Sequence, residues 1–331
     1  MDKTTCELCP RACQLKEGQF GACGARIAKS GHVVALNSGV LSAIHVDPIE
    51  KKPLFHFLPG SRALSLGGFG CNLMCRGCQN ASISRISADA EDGFWMKPEE
   101  VAACARHHHC DVVAYTYNEP IVWHEFACGS ARVSRAAGLK NIMVTAGYVT
   151  AKYREQIFSC MDAANVDLKG FSSHFYRTWA KAELEPVLET IEYLHQLPHF
   201  WLELTTLLIP GQNDSQAELE REFAWIMDKL GPDVPVHLSA FHPAWQAQNI
   251  PATPLETLEK AQKLAKEAGI HHVYLGNVPM ASDTICTQCG HKLISRWEYR
   301  TDICGLKEAE CSYCHAPLVG VFSSHNTSNS K

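Results

Sequence analysis

The chain lacks any apolar run long enough to span a bilayer, and its first residues, Met1-Asp2-Lys3-Thr4-Thr5-Cys6, hold no apolar signal region. Both absences predict a cytoplasmic protein with no membrane partner. Positive charge is in short supply too, with 30 Lys and Arg against 35 Asp and Glu, a net charge of −5. Neither end concentrates Lys and Arg, which argues against nucleic acid as a partner. Charged residues make up only 20% and hydrophobic ones 46%, the balance of a folded globular chain.

The surplus is in cysteine, with 16 in 331 residues. Disulfides are rare in the cytosol, so this count points to metal. Chance at this density gives ~0.8 CxxC pairs and ~0.04 CxxxCxxC triplets. The chain has four pairs, Cys6/Cys9, Cys75/Cys78, Cys286/Cys289 and Cys311/Cys314, and one triplet, Cys71, Cys75 and Cys78. Three thiolates on a short loop can hold three corners of a [4Fe-4S] cubane, leaving one iron open to bind and reduce a ligand. A zinc knuckle or a set of buried thiols is the plainer alternative.

The cysteines divide the chain into a cysteine-rich N-terminal module (1–50), a long middle segment (51–280) and a C-terminal module (281–322), with a polar, disordered tail at 323–331. The middle segment alternates short apolar runs with helical stretches. The expected strands are Ala63–Phe69, Val112–Tyr117, Asn141–Thr145, Asn165–Leu168, Trp201–Ile209, Val236–Phe241 and His272–Leu275. The expected helices are Lys97–His108, Pro120–Ala137, Ser215–Leu230 with a Ser215/Glu218 capping box, and Pro254–Ala268 with Thr253 as N-cap. This alternation specifies an α/β fold, a partial (β/α)6-type barrel with its chemistry at the carboxyl ends of the strands. The triplet follows the first strand.

Other polar residues fall at later strand ends. Asn118 and Glu119 offer an amide and a carboxylate for an ammonium group, although Glu119 also suits the first turn of the next helix. Asp167 and Lys169 are two apart on a strand and so share a face, as ligand contacts or as an ion pair. His242 stands after the sixth strand. Cys286, Cys289, Cys311 and Cys314 have zinc-ribbon spacing, a closed site for Zn2+, with Cys304 outside it. Cys6, Cys9, Cys13 and Cys23 suit zinc, but also an iron–sulfur cluster.

With the triplet, Tyr115-Thr116-Tyr117-Asn118-Glu119-Pro120, Val166-Asp167-Leu168-Lys169-Gly170 and Leu207-Leu208-Ile209-Pro210-Gly211-Gln212-Asn213-Asp214, the chain resembles radical S-adenosylmethionine (SAM) enzymes, in the branch of the pyruvate formate-lyase activating enzymes. Lys52-Pro53-Leu54-Phe55-His56-Phe57-Leu58-Pro59-Gly60 and the N-terminal CxxCPRxC narrow the likeness to the radical enzyme of the AmmeMemoRadiSam system. The resemblance implies that Cys71, Cys75 and Cys78 hold the catalytic [4Fe-4S] cluster and that its open iron chelates SAM. Asn118, Glu119, Asp167, Lys169 and His242 are then SAM contacts. Reductive cleavage of SAM gives a 5′-deoxyadenosyl radical, which takes hydrogen from a small-molecule or protein substrate. A flavodoxin or ferredoxin as reductant, and the other two AmmeMemoRadiSam proteins as partners, follow from the same likeness. The alternatives are a glycyl-radical enzyme activase and, without catalysis, a zinc-binding scaffold. Where the family often has an aromatic residue before the last cysteine, this chain has Gly77, so adenine stacking is expected elsewhere, with Phe69 the candidate.

Overall fold

The seven apolar runs expected as strands all form strands of one sheet, and an eighth joins them at the edge. The computed structural model describes residues 3–36, 38–85 and 93–323, so most of the expected tail lies outside the described residues. In chain order the strands are β1 (Ala43–Pro48), β2 (Arg62–Gly67), β3 (Val112–Tyr115), β4 (Lys140–Thr145), β5 (Ala163–Asp167), β6 (Trp201–Leu208), β7 (Val236–Ala240) and β8 (Val273–Gly276). Neighbours in the sheet follow chain order from β1 to β8. Every pairing is parallel except β1 with β2, which is antiparallel. The parallel crossovers run through α1 (Pro98–His107), α2 (His124–Ala136), α3 (Ala151–Phe158), α4 (Glu185–Gln196), α5 (Gln216–Lys229) and α6 (Leu255–Glu267). This is an open, mostly parallel (β/α) sheet with helices on its outer face.

The two faces of the strands bury different things. Leu64, Leu66, Val113, Tyr115, Met143, Ala164 and Val166 pack into the large core shared with the helices. Their neighbours Ala63, Val112, Ala114, Ile142 and Ala163 pack with Ile49, Leu54, Phe57 and Leu58. The Lys52–Gly60 segment therefore plugs the amino-terminal mouth of the half-barrel. Polar inner-face residues anchor it. Asn165 donates to Pro53 O at 2.8 Å, and Glu203 accepts from the backbone N–H groups of Phe55 (2.9 Å) and His56 (2.7 Å). Glu203 also accepts from His237 Nε2 (2.6 Å) and Trp201 Nε1 (2.9 Å), so its buried charge is fully paired.

Two expected caps are replaced. Ser215 precedes α5 but makes no side-chain cap, and Glu218, the other half of the expected box, accepts from Phe171 N at 2.8 Å instead. Pro254, not Thr253, precedes α6. Thr253 instead donates to Leu208 O (2.6 Å) and accepts from Phe241 N (2.9 Å), tying together the ends of β6 and β7. In both places tertiary contacts compete for the capping side chain and win.

Short antiparallel pairs flank the sheet: Thr4–Thr5 with Gln14–Leu15, Arg26–Lys29 with His32–Ala35, and a three-stranded unit of Thr284–Ile285, Lys292–Trp297 and Arg300–Ile303. Among the described residues, no helix is long and apolar enough to cross a membrane.

Candidate functional site at the carboxyl ends of the strands

The loop from Gly70 to Cys78 leaves the end of β2 and is pinned from four sides. Cys71 N donates to Cys23 O at 3.1 Å, Met74 N to Ala180 O at 2.8 Å, and Arg76 N to Trp179 O at 3.2 Å. Asn72 Nδ2 donates to Tyr148 O at 2.7 Å, while Arg11 donates to Asn72 O and Lys181 O. The accepting carbonyls of Trp179 and Ala180 belong to a single-turn π-helix, Tyr176–Ala180. These are the last two residues of that turn, where helix carbonyls have no partner within the helix. At Gly70, with φ +82°, a side chain would strike Cys23 O, so the close approach of the N-terminal segment requires glycine there.

Cys71, Cys75 and Cys78 are partly buried. Burial pushes the Cys71 and Cys75 thiols up; the Glu119 carboxylate adds to this at Cys71, and the Lys169 ammonium opposes it at Cys75. Glu119 therefore lies near Cys71, and Lys169 near Cys75.

Asn118 and Glu119 follow β3 through Tyr117, whose φ of +71° is strained for a non-glycine residue. Its hydroxyl holds it there by donating to Asp47 Oδ2 at 2.5 Å, with Lys52 Nζ 4.5 Å above its ring. Asn118 Nδ2 donates to Gly70 O at 2.7 Å, so this amide supports the cysteine loop directly. Glu119 is buried and accepts from Thr145 Oγ1 (2.5 Å), Ala146 N (2.8 Å) and Ile121 N (3.3 Å). It thus caps the short helix Pro120–Trp123 and joins the ends of β3 and β4. Burial raises its pKa to about 7 against those hydrogen bonds.

Lys169 Nζ lies 2.6 Å from Asp167 Oδ2 just past the end of β5. Burial works to lower the Lys169 pKa, but Asp167 and Cys75 outweigh it and keep the ammonium charged. Asn213, legible in sequence only as part of the Leu207–Asp214 motif, locks this corner. Its Nδ2 donates to Lys169 O (2.8 Å) and Leu207 O (2.9 Å), and its Oδ1 accepts from Ile209 N (2.7 Å). His242 is exposed at the end of β7, with Nε2 3.2 Å from Asn277 O. Glu119 by contrast is buried, and Lys169 and the cysteines are partly buried.

Gly77 packs against aromatic rings from two other elements. A Cβ there would fall 2.8 Å from Phe241 Cε2 and 2.9 Å from Trp179 Cζ2. Those rings stand edge to face, 6.5 Å apart, with the Arg76 guanidinium 5.5 Å from the Trp179 ring. Beside the loop a cavity of about 360 Å³ opens between His45, Asp47, Lys51, Asn80 and Tyr117.

The two other cysteine sets differ. Cys286, Cys289, Cys311 and Cys314 bring all four sulfurs within 4.8 Å of one another. Cys286–Cys314 and Cys289–Cys311 are each 3.6 Å apart, close to the ~3.8 Å that tetrahedral Zn–S bonds of about 2.3 Å impose. Gly290 and His315 turn the two knuckles with φ of +74° and +62°, so histidine takes the conformation for which glycine is favoured. Exposed Cys304 stays outside. Among the described residues no other set is gathered so tightly. Cys6, Cys9, Cys13 and Cys23 are not among those gathered within that distance.

Residues 66–224, from the end of β2 into α5, match the Radical SAM superfamily. An uncharacterized protein of Methanocaldococcus jannaschii is 39% identical over 317 residues, covering 95% of this chain and 94% of the relative. A radical SAM methyltransferase from Sphaerobacter thermophilus superposes with a TM-score of 0.53 at 14% identity, covering 66% of this chain and 67% of the methyltransferase. Streptococcus suis SuiB, solved with S-adenosylmethionine, does so with a TM-score of 0.50 at 10% identity, covering 69% and 53%. Both likenesses are of fold. This chain belongs to one family with the archaeal protein, and its residues 66–224 carry the match to the Radical SAM superfamily.

Proposed function

We propose that Cys71, Cys75 and Cys78 hold three irons of the [4Fe-4S] cluster that the family implies, with SAM on the fourth, and that this chain abstracts hydrogen from a substrate still to be identified. The observation that supports this reading most is the joint placement of the three thiols, Glu119 and Lys169 at the carboxyl ends of β2, β3 and β5. The donor set fits a cubane: three thiols from one loop, not gathered within a single ion's coordination sphere. When bound, the cluster supplies one electron to SAM, whose carbon–sulfur bond then breaks to give the 5′-deoxyadenosyl radical. The loop's hydrogen bonds to Cys23, Trp179 and Ala180 fix the thiols before loading. Lys169 offers its ammonium to the SAM carboxylate, and Asp167 accepts from the amino group or ribose. Glu119 holds the β3 and β4 ends in register and places a carboxylate near Cys71. Asn118 acts by bracing Gly70, and His242 guards the rim at β7. The Trp179–Phe241 wall beside Gly77 serves the adenine side, since it stands next to the last cysteine of the triplet.

The modules at 1–50 and 281–322 flank the catalytic segment 51–280, and the C-terminal one is assigned structural Zn2+. AmmeMemoRadiSam membership, a flavodoxin or ferredoxin donor and a cytoplasmic location complete the proposal; the motifs that distinguish that system from a minimal activase support it. The test is binding of SAM to anaerobically reconstituted protein. Lys169→Ala should weaken it while iron content stays unchanged, and unchanged affinity would remove Lys169 from the site.

A further inference from the structure

The N-terminal cysteines are the largest set of potential ligands that the reaction leaves unused. They are four free thiols, two buried and two partly buried, on the segment packed against the catalytic loop. Cys6, Cys9 and Cys13 come from one continuous turn, closed by hydrogen bonds from Cys6 N to Cys13 O (2.9 Å) and from Ala12 N to Cys9 O (3.1 Å). Cys23 arrives from the next turn. Three ligands from one loop and a fourth from elsewhere is an iron–sulfur arrangement, whereas zinc ribbons use two separate pairs, as at Cys286–Cys314.

The geometry separates the two sets further. The C-terminal sulfurs are already drawn to single-ion spacing, and the N-terminal ones are not. Cys13 Sγ and Cys23 Sγ each lie 3.8 Å from where a Gly21 Cβ would stand, so an absent side chain leaves open the space between them. Arg26 is buried and pairs with Glu125 at 2.9 Å, and its charge also reaches Cys6 and Cys23. We propose that Cys6, Cys9, Cys13 and Cys23 hold a second iron–sulfur cluster, packed directly against the catalytic loop. The contact is the hydrogen bond from Cys71 N to Cys23 O, which joins a ligand of one centre to a ligand of the other.

The test is iron, sulfide and zinc analysis of the full chain after anaerobic reconstitution, beside a C71A/C75A/C78A variant and a C9S/C13S variant. Two cubanes predict about eight irons in the unaltered chain and about four in each variant. In the triple variant the remaining iron should give a cubane spectrum that SAM does not perturb. Should either variant fail to fold, the unaltered chain still decides, since SAM should shift only one of two reduced-cluster resonances. About four irons with zinc at the N-terminal set, or no iron in a folded triple variant, overturns the proposal. About four irons in both the unaltered chain and the triple variant, lost in C9S/C13S, would uphold the second cluster while removing the first.

Discussion

Gly77 and Phe241 occupy one place in the molecule: a Cβ on Gly77 would stand 2.8 Å from the Phe241 ring. Aromatic character beside the third cysteine is thus supplied from the end of β7 and from the π-helix, and the cysteine loop yields the room. Gly77→Phe, which restores the commoner residue, should overpack the wall and lower stability by about 1–3 kcal/mol. Thermal unfolding checks it, and Gly77→Phe combined with Phe241→Ala should recover most of the loss. An unchanged melting temperature in the single variant would show that the wall can move.

Lys169 pairs with Asp167 at 2.6 Å and influences both Cys75 and Glu119. Charge-assisted hydrogen bonds are worth about 1.5–3 kcal/mol. Lys169→Ala should therefore weaken SAM binding about tenfold or more, read by calorimetry on the iron-loaded protein.

The barrel floor should make the protein acid-sensitive. His56 and His272 are buried, and desolvation lowers their pKa values to about 3 and about 4. His56 Nδ1 donates to Val319 O at 2.8 Å while its Nε2 accepts from Tyr274, an arrangement that needs the neutral ring. The native state therefore binds fewer protons than the unfolded chain between pH 6.5 and 4. Their contribution to stability should be full above about pH 6.5 and fall as pH drops toward 4. Chemical denaturation of the unaltered chain and of His272→Gln at pH 7.5 and 5.0 separates it from the buried acids: the variant should lose less stability on acidification, and an equal change of midpoint in both would contradict it.

Glu222 should act in the opposite sense. It is buried on α5, accepts from Thr206 Oγ1 at 2.5 Å, and has a second oxygen with no partner. Burial raises its pKa to about 8, so the native state keeps a proton that the unfolded chain releases near 4.5. Its contribution is complete below about pH 4.5 and declines as pH rises toward 8. Glu222→Gln should remove that decline and leave the protein more stable than the unaltered chain at pH 8.5.

Seven strands and the place of the triplet were legible because apolar runs and cysteine spacing are local signals. The edge strand β1 was not, since His45 and Asp47 interrupt its apolar pattern where it meets the cavity. Ser215 and Thr253 look like caps in sequence, and only the folded neighbours Phe171, Phe241 and Leu208 show what competes for Glu218 and Thr253. Asp167 and Lys169 could be paired from their spacing alone. The bracing roles of Asn118, Asn213 and Trp179 depend on contacts between distant segments, which no local pattern records. The same holds for the spread of the N-terminal thiols against the tight C-terminal four.

The central claim is that the Cys71–Cys78 loop holds a cluster that cleaves SAM. It is tested most directly by incubating anaerobically reconstituted protein with SAM and dithionite and measuring 5′-deoxyadenosine by mass spectrometry. The nucleoside should form with the unaltered chain and not with Cys75→Ala. Its absence from protein carrying a full complement of iron, or its undiminished formation by Cys75→Ala, would contradict the claim.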